Sequence, residues 1–183
     1  MNTKEKLKAI LQERSIRFGD FTLASGAKSD FYVDCRVTAL DPQAANYIGE
    51  VACELLKEQD LTLDAIGGMT MGADPICLAV GMASLDDEQL ETLNVFVVRK
   101  EPKGYGAGKQ IEGNFKSGQK IVVVDDVITT GGSTLKAVDV IEAAGGEVVL
   151  ALVLVDREEG GRAAIEARNI PVVSLFTKSD FKI

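Results

Sequence analysis

The stretch IVVVDDVITTGGSTLKAVDVI, residues 121–141, joins three elements whose order decides the fold. Ile121, Val122, Val123 and Val124 form a continuous β-branched run, the pattern of a central parallel strand covered on both faces. Leu135, Val138 and Ile141 then recur at helical spacing. Between the two, Thr129, Thr130, Gly131, Gly132, Ser133 and Thr134 set small residues and hydroxyls where the helix begins and its amide hydrogens point outward, which makes a seat for a phosphate. Asp125 and Asp126 stand where the strand is expected to end, so at least one carboxylate should face the crevice in which parallel sheets bind ligands. Paired acids suit ribose hydroxyls or a hydrated magnesium ion. Each part has a plain structural reading as well, since adjacent acids start turns and glycines permit bends. In combination they point to a ribose-phosphate site. The loop has neither the GK[ST] ending of a nucleoside-triphosphate loop nor a GxGxxG pattern, which argues against those two phosphate folds.

Outward from this segment, short apolar strands alternate with helical patterns at Ala65 to Met69, Asn94 to Val98, Ile121 to Asp125, Val148 to Val155 and Val172 to Leu175. That alternation predicts an α/β fold with a doubly wound, mostly parallel sheet flanked by helices. Upstream, Thr3 to Arg14 reads as a surface helix, Phe18 to Asp34 as a short hairpin, and Asp41 with Pro42 as the cap and first turn of a helix running to about Gln59. The reading is of a single domain, 1–183, whose first 40 or so residues form a small N-terminal helix and hairpin hood.

Parallel sheets gather ligands at the carboxyl ends of their strands, so the loops there are the place to look. GGMTMGADP, from Gly67 to Pro75, offers glycines and backbone amides for a pyrophosphate. RKEPKGYGAGKQIEGNFKSG carries Arg99, Lys100, Lys103 and Lys109 among glycines, and is too long for an ordinary connection. It reads either as a solvated basic loop or as a movable clamp over a polyanion. DREEGGRAA, from Asp156 to Ala164, offers Arg157, which can grip a carboxylate bidentately or pair with Glu158 or Glu159.

Composition narrows the chemistry. A formal charge of −8 opposes a nucleic-acid or anionic-membrane partner. There is no apolar run near the roughly 20 residues of a membrane span, and MNTKEKLKAILQERSI lacks the apolar core of a secretory signal, so a cytoplasmic location is expected. Cys35, Cys53 and Cys77 are widely spaced and read as reduced thiols rather than a zinc or disulfide framework. The chain has no histidine, so acid–base work falls to carboxylates, lysines or tyrosines.

The strand, two acids and TTGGST resemble the phosphoribosyl pyrophosphate motif of type I phosphoribosyltransferases. With FTLASGAKSDFYVDCR, GGMTMGADPI, RKEPKGYGAGKQIEG and VDREEGG in the same order, the chain is similar over nearly its whole length to the orotate phosphoribosyltransferase family. The resemblance implies transfer of a phosphoribosyl group from phosphoribosyl pyrophosphate to orotate, with magnesium held mainly by pyrophosphate and water rather than by direct protein ligands. It implies phosphoribosyl pyrophosphate contacts from Arg99, Lys100, Lys103, Tyr105, Asp125, Asp126, Val127, Ile128, Thr129, Thr130, Gly131, Gly132 and Ser133, and orotate contacts from Thr129 and Arg157. Lys100, Lys103, Tyr105, Asp125 and Asp126 would carry the catalysis. A homodimer is implied, with the mobile loop serving the neighbouring subunit's site. The chain departs from the family at Tyr105, where histidine is common, and at Ala24 and Met71, where some members carry lysine. Two other readings stand beside this one. Either the acceptor is another base, purine or uracil, or the chain is a non-catalytic sensor of phosphoribosyl pyrophosphate.

Overall fold

Asn2 begins the chain with a reciprocal cap: its side chain accepts from the Glu5 amide at 2.8 Å while Glu5 accepts from the Asn2 amide at 2.9 Å. The computed structural model describes residues 1–22, 26, 28–102 and 109–181. Helix α1 (Thr3–Arg14) leads into strands β1 (Ile16–Thr22) and β2 (Lys28–Val33), which pair as an antiparallel hairpin. A short α2 (Arg36–Ala39) and α3 (Pro42–Lys57) follow, the latter capped as its sequence predicts, with the Asp41 side chain accepting from the Ala44 amide at 3.0 Å. The main sheet is then built from β3 (Ala65–Met69), α4 (Ala73–Ala83), β4 (Asn94–Val98), β5 (Ile111–Gly113), β6 (Lys120–Ile128), α5 (Gly132–Ala143), β7 (Glu147–Asp156), α6 (Gly161–Glu166) and β8 (Val172–Thr177).

The sheet order is β5-β4-β3-β6-β7-β8, parallel except for β5 at the edge. From β3 the chain winds outward to β4 and β5, then returns to lay β6 on the other side of β3 and winds the opposite way. The β3/β6 boundary is therefore a topological switch point, where an α/β sheet opens a crevice.

Strand β6 feeds two cores. Val122 and Val124 pack into a cluster with Leu7, Ile48, Val51, Ile76 and Val80, whereas Ile121 and Val123 pack with Val138, Ile141 and Ile165. Strand β7 alternates likewise, Leu150, Leu152 and Leu154 on one side and Ala151 and Val153 on the other. Burying each such side chain is worth roughly 1.5–3 kcal/mol. Neither face can take a polar residue cheaply, and the run is accordingly continuous rather than alternating.

Strand β6 and the long basic segment depart from expectation. Strand β6 continues to Ile128 instead of ending at Asp125, because β7 runs on beside it and keeps pairing, Val127 with Val155 and Ile128 with Asp156. The acids thus sit within the strand's last turn of pleat. The long basic segment also holds an unanticipated strand, β5, antiparallel to β4. Its sequence, IEG, carries no apolar alternation. Pairing is reinforced by the edge-on contact of Phe115 with Phe96, ring centroids 5.3 Å apart.

Candidate active site

At the switch point a cavity of about 310 Å³ is walled by Met69 to Gly72 from the β3 end, Asp125 to Val127 from β6, Ser133, Lys100, and Val33, Asp34 and Arg36 from beyond β2. The acid pair sits at its floor. Asp125 is 9% exposed and its Oδ2 accepts from the Thr134 hydroxyl at 2.6 Å. Asp126 Oδ1 accepts from the Val127 amide at 3.0 Å. Gly72 lies so close to the Asp126 carboxylate that a β-carbon there would overlap it, which brings the β3 loop and the acids together. Thr134 was read as a hydroxyl for the phosphate; its hydroxyl instead serves Asp125, because it is buried on the inner side of α5.

Burial pushes the Asp125 carboxyl up to about 7, against the pull of the Thr134 hydrogen bond and with the Asp126 charge adding to the rise. Burial also raises Asp126, partly offset by the Val127 amide. A carboxyl whose folded value is raised contributes stability that is complete below its unfolded value, 3.8, and is lost as pH climbs toward 7. Asp125→Asn, a neutral mimic, should therefore melt progressively higher than wild type as pH rises from about 4 to about 7. Thermal scans across that window check this, and a pH-independent difference would contradict it.

A second cavity of about 350 Å³, lined by Asp125, Val127 to Ser133 and Lys136, shares Asp125, Val127 and Ser133 with the first. Gly131 caps α5 with φ +81 and no side-chain cap, which leaves the first-turn amides available to an anion. The loop after β7 braces this turn, with the Gly161 amide donating to the Thr129 carbonyl at 2.9 Å and Arg157 N to the Ile128 carbonyl at 3.0 Å.

On the other flank, the Thr70 amide donates to the Val98 carbonyl at 2.8 Å and its hydroxyl to Asp74 at 2.6 Å. The Thr70–Met71 peptide is cis. A cavity of about 510 Å³ opens beside it, lined by Thr70, Asp74, Val97, Arg99, Lys100, Glu101 and Glu112. The basic loop is pinched at its root, where the Arg99 amide donates to the Gln110 carbonyl at 2.8 Å and the Gln110 side-chain amide donates to the Arg99 carbonyl at 2.9 Å. From this root Lys100 lines both this cavity and the acid-pair cavity, while Arg99 lines this one. Lys103, Tyr105 and Ala24 lie outside the described residues.

Arg157 is 6% exposed. Of the partners the sequence offered, Glu159 is the one it takes, at 2.8 Å, while Glu158 accepts from Ser179. The same guanidinium donates to the Ser29 hydroxyl at 3.0 Å and the Phe31 carbonyl at 3.2 Å, tying the hairpin to the carboxyl end of β7. Sequence reading did not single out Arg36 or Lys136. Arg36 is held by Asp34 through two bonds of 2.9 Å and lines the acid-pair cavity. The Asp-x-Arg spacing in FYVDCR was the available signal.

Among the described residues no group of three or more histidine, cysteine, aspartate or glutamate side chains converges as a metal cage. Two adjacent carboxylates beside an anion cradle fit a hard cation that takes its other oxygens from a bound phosphate compound and water.

The profile of the phosphoribosyl transferase domain family matches residues 84–180. Over 183 residues the chain is 45% identical to the orotate phosphoribosyltransferase of Aquifex aeolicus (strain VF5), with 98% of each chain covered. Among solved structures, it is similar to Mycobacterium tuberculosis H37Rv orotate phosphoribosyltransferase in complex with Fe(III) dicitrate, at TM-score 0.85 and 36% identity over the whole of both chains. The same enzyme in complex with 5-phospho-α-D-ribosyl 1-diphosphate gives a TM-score of 0.80 and 34% identity over 98% of each chain. With the switch-point acid pair, the uncapped helix turn and these likenesses in agreement, the chain belongs to the orotate phosphoribosyltransferase family.

Proposed function

We propose that the protein transfers the phosphoribosyl group of phosphoribosyl pyrophosphate to N1 of orotate, giving orotidine 5′-monophosphate and pyrophosphate, a step of pyrimidine (UMP) biosynthesis. The observation that carries this reading is the convergence at one switch point of the acid pair, the phosphate turn and the Gly67–Pro75 loop, with Arg157 just past the carboxyl end of β7. The C1′–oxygen bond to pyrophosphate breaks and the C1′–N1 bond forms, the N1 proton leaving to solvent. Positive charge grows on the ribose and negative charge on pyrophosphate, so stabilisers belong at both ends. Asp125 and Asp126 hold the ribose hydroxyls and face the growing cation. Backbone and hydroxyl groups from Val127 and Ile128 through Ser133 seat the 5′-phosphate. Arg99, Lys100 and Lys103 neutralise pyrophosphate, and Tyr105 donates a hydrogen bond to it. Thr129 and Arg157 hold orotate. Asp125 and Asp126 would face a magnesium ion held mainly by pyrophosphate and water, and that ion would supply further positive charge to the leaving group.

Product analysis tests the reading. Orotidine 5′-monophosphate and pyrophosphate should form in equal amounts; pyrophosphate released without the nucleotide would contradict transfer.

The same proposal includes a homodimer. Leu78, Met82 and Leu85 are exposed and recur at helical spacing along and just past α4, an apolar stripe suited to a second copy. Sedimentation should return a dimer at micromolar concentration, and a monomer would remove the shared loop from the account. We take residues 1–183 as one functional unit, supported by hairpin residue Phe31 sharing an apolar cluster with Val122 and Leu152. No helix among the described residues is long and apolar enough to cross a membrane. A cytoplasmic location is supported by three buried free cysteines, and cell fractionation that found the protein elsewhere would overturn it.

A further inference from the structure

We infer that Glu159 is a carboxylate placeholder: it occupies on Arg157 the seat that the carboxylate of the incoming base must take, and so competes with that carboxylate for the guanidinium. This rests on the reading of Arg157 as the orotate contact.

A guanidinium exposed by only 6% needs partners, because a buried unpaired cation is strongly destabilising. Two neutral acceptors from the hairpin, the Ser29 hydroxyl and the Phe31 carbonyl, fix the direction of the fork without neutralising its charge. The ion-pair partner among the described residues is Glu159, whose Oε1 accepts from Nε at 3.0 Å and lies 2.8 Å from the terminal nitrogen that donates to the hairpin. One glutamate oxygen on two guanidinium nitrogens is the chemistry a substrate carboxylate offers.

Glu159 is also built to leave. Its side chain is 35% exposed, so it can recover hydration on one side when it swings out. The next residue, Gly160, has open space around it and φ +94, and it leads directly into α6. The charged pair is therefore hinged on its acidic member and anchored on its basic one. An incoming carboxylate replaces one charge-assisted pair with another, leaving Arg157 neutralised throughout. A base with no carboxylate makes no such exchange and leaves Glu159 on Arg157.

Glu159→Gln keeps the length and an accepting oxygen but removes the competing charge. It should lower the orotate KM about fivefold, with kcat moving far less, as expected for removal of one competing charge. Inhibition by uracil, which has no carboxylate to gain from the vacated charge, should stay unchanged. An orotate KM that is unchanged or raised would overturn the placeholder role. Arg157→Lys run alongside separates the two ideas. If it raises the orotate KM while Glu159→Gln does not lower it, the placeholder fails and the Arg157 contact stands; if it leaves the orotate KM alone, the Arg157 contact itself has failed. Should Glu159→Gln not fold, Glu159→Asp, whose shorter reach withdraws the charge from the fork, is read in the same way.

Discussion

Asp126→Lys should abolish phosphoribosyl transfer, lowering turnover at least about 10³-fold, while the far-ultraviolet circular dichroism spectrum keeps its wild-type shape. The carboxylate lines the acid-pair cavity opposite Gly72, where a cation would face a developing cation and repel the ribose carbon at the moment its charge grows. The fold does not need this charge. Burial disfavours the ionised form, and the cores on either face of the sheet are built from Val122, Val124, Ile121 and Val123, not from Asp126. Asp126→Asn, which fits the same space, should fall between wild type and Asp126→Lys. Retained turnover in the lysine variant would remove this residue from the site.

Lys103→Ala is expected to slow turnover about 10²- to 10³-fold, with much less effect on orotate binding. Its charge is assigned to the departing pyrophosphate, so its loss should register where negative charge accumulates rather than where the base sits. An unchanged kcat would count against the clamp. The shared-loop arrangement adds a sharper consequence. If the loop of one subunit serves its neighbour, mixing and re-equilibrating inactive Lys103→Ala with inactive Asp126→Lys should restore about a quarter of wild-type activity, because half of the dimers are mixed and each then holds one intact site. No recovery from a demonstrated mixed dimer would confine each loop to its own subunit.

The parts of this fold that were legible in the sequence are those written by burial. Ile121 to Val124 could only be a strand covered on both faces, and Asp41 with Pro42 could only open a helix well. The end of β6 was not legible, because it depends on β7 continuing alongside, a fact about a neighbour rather than about residues 125–128. Strand β5 was missed for a related reason: Ile111 to Gly113 carries no period of its own and is held by β4 and by Phe115 against Phe96. In the candidate site, the acids and the glycine and hydroxyl turn stood out in the sequence through residue type. The hydroxyl of Thr134 was indistinguishable in sequence from those of Thr129 and Thr130, and only helix rotation assigns it to Asp125. Arg36 and Lys136 enter through folding geometry, the first carried in by the hairpin and the second by one further turn of α5.

The most direct test of the account is orotate absorbance followed over time with purified protein, magnesium and phosphoribosyl pyrophosphate, beside parallel reactions offering uracil, adenine, guanine and xanthine. Orotate should be lost only when both additions are present, with the other bases untouched. Consumption of another base while orotate persists, or no reaction with any base, would contradict it.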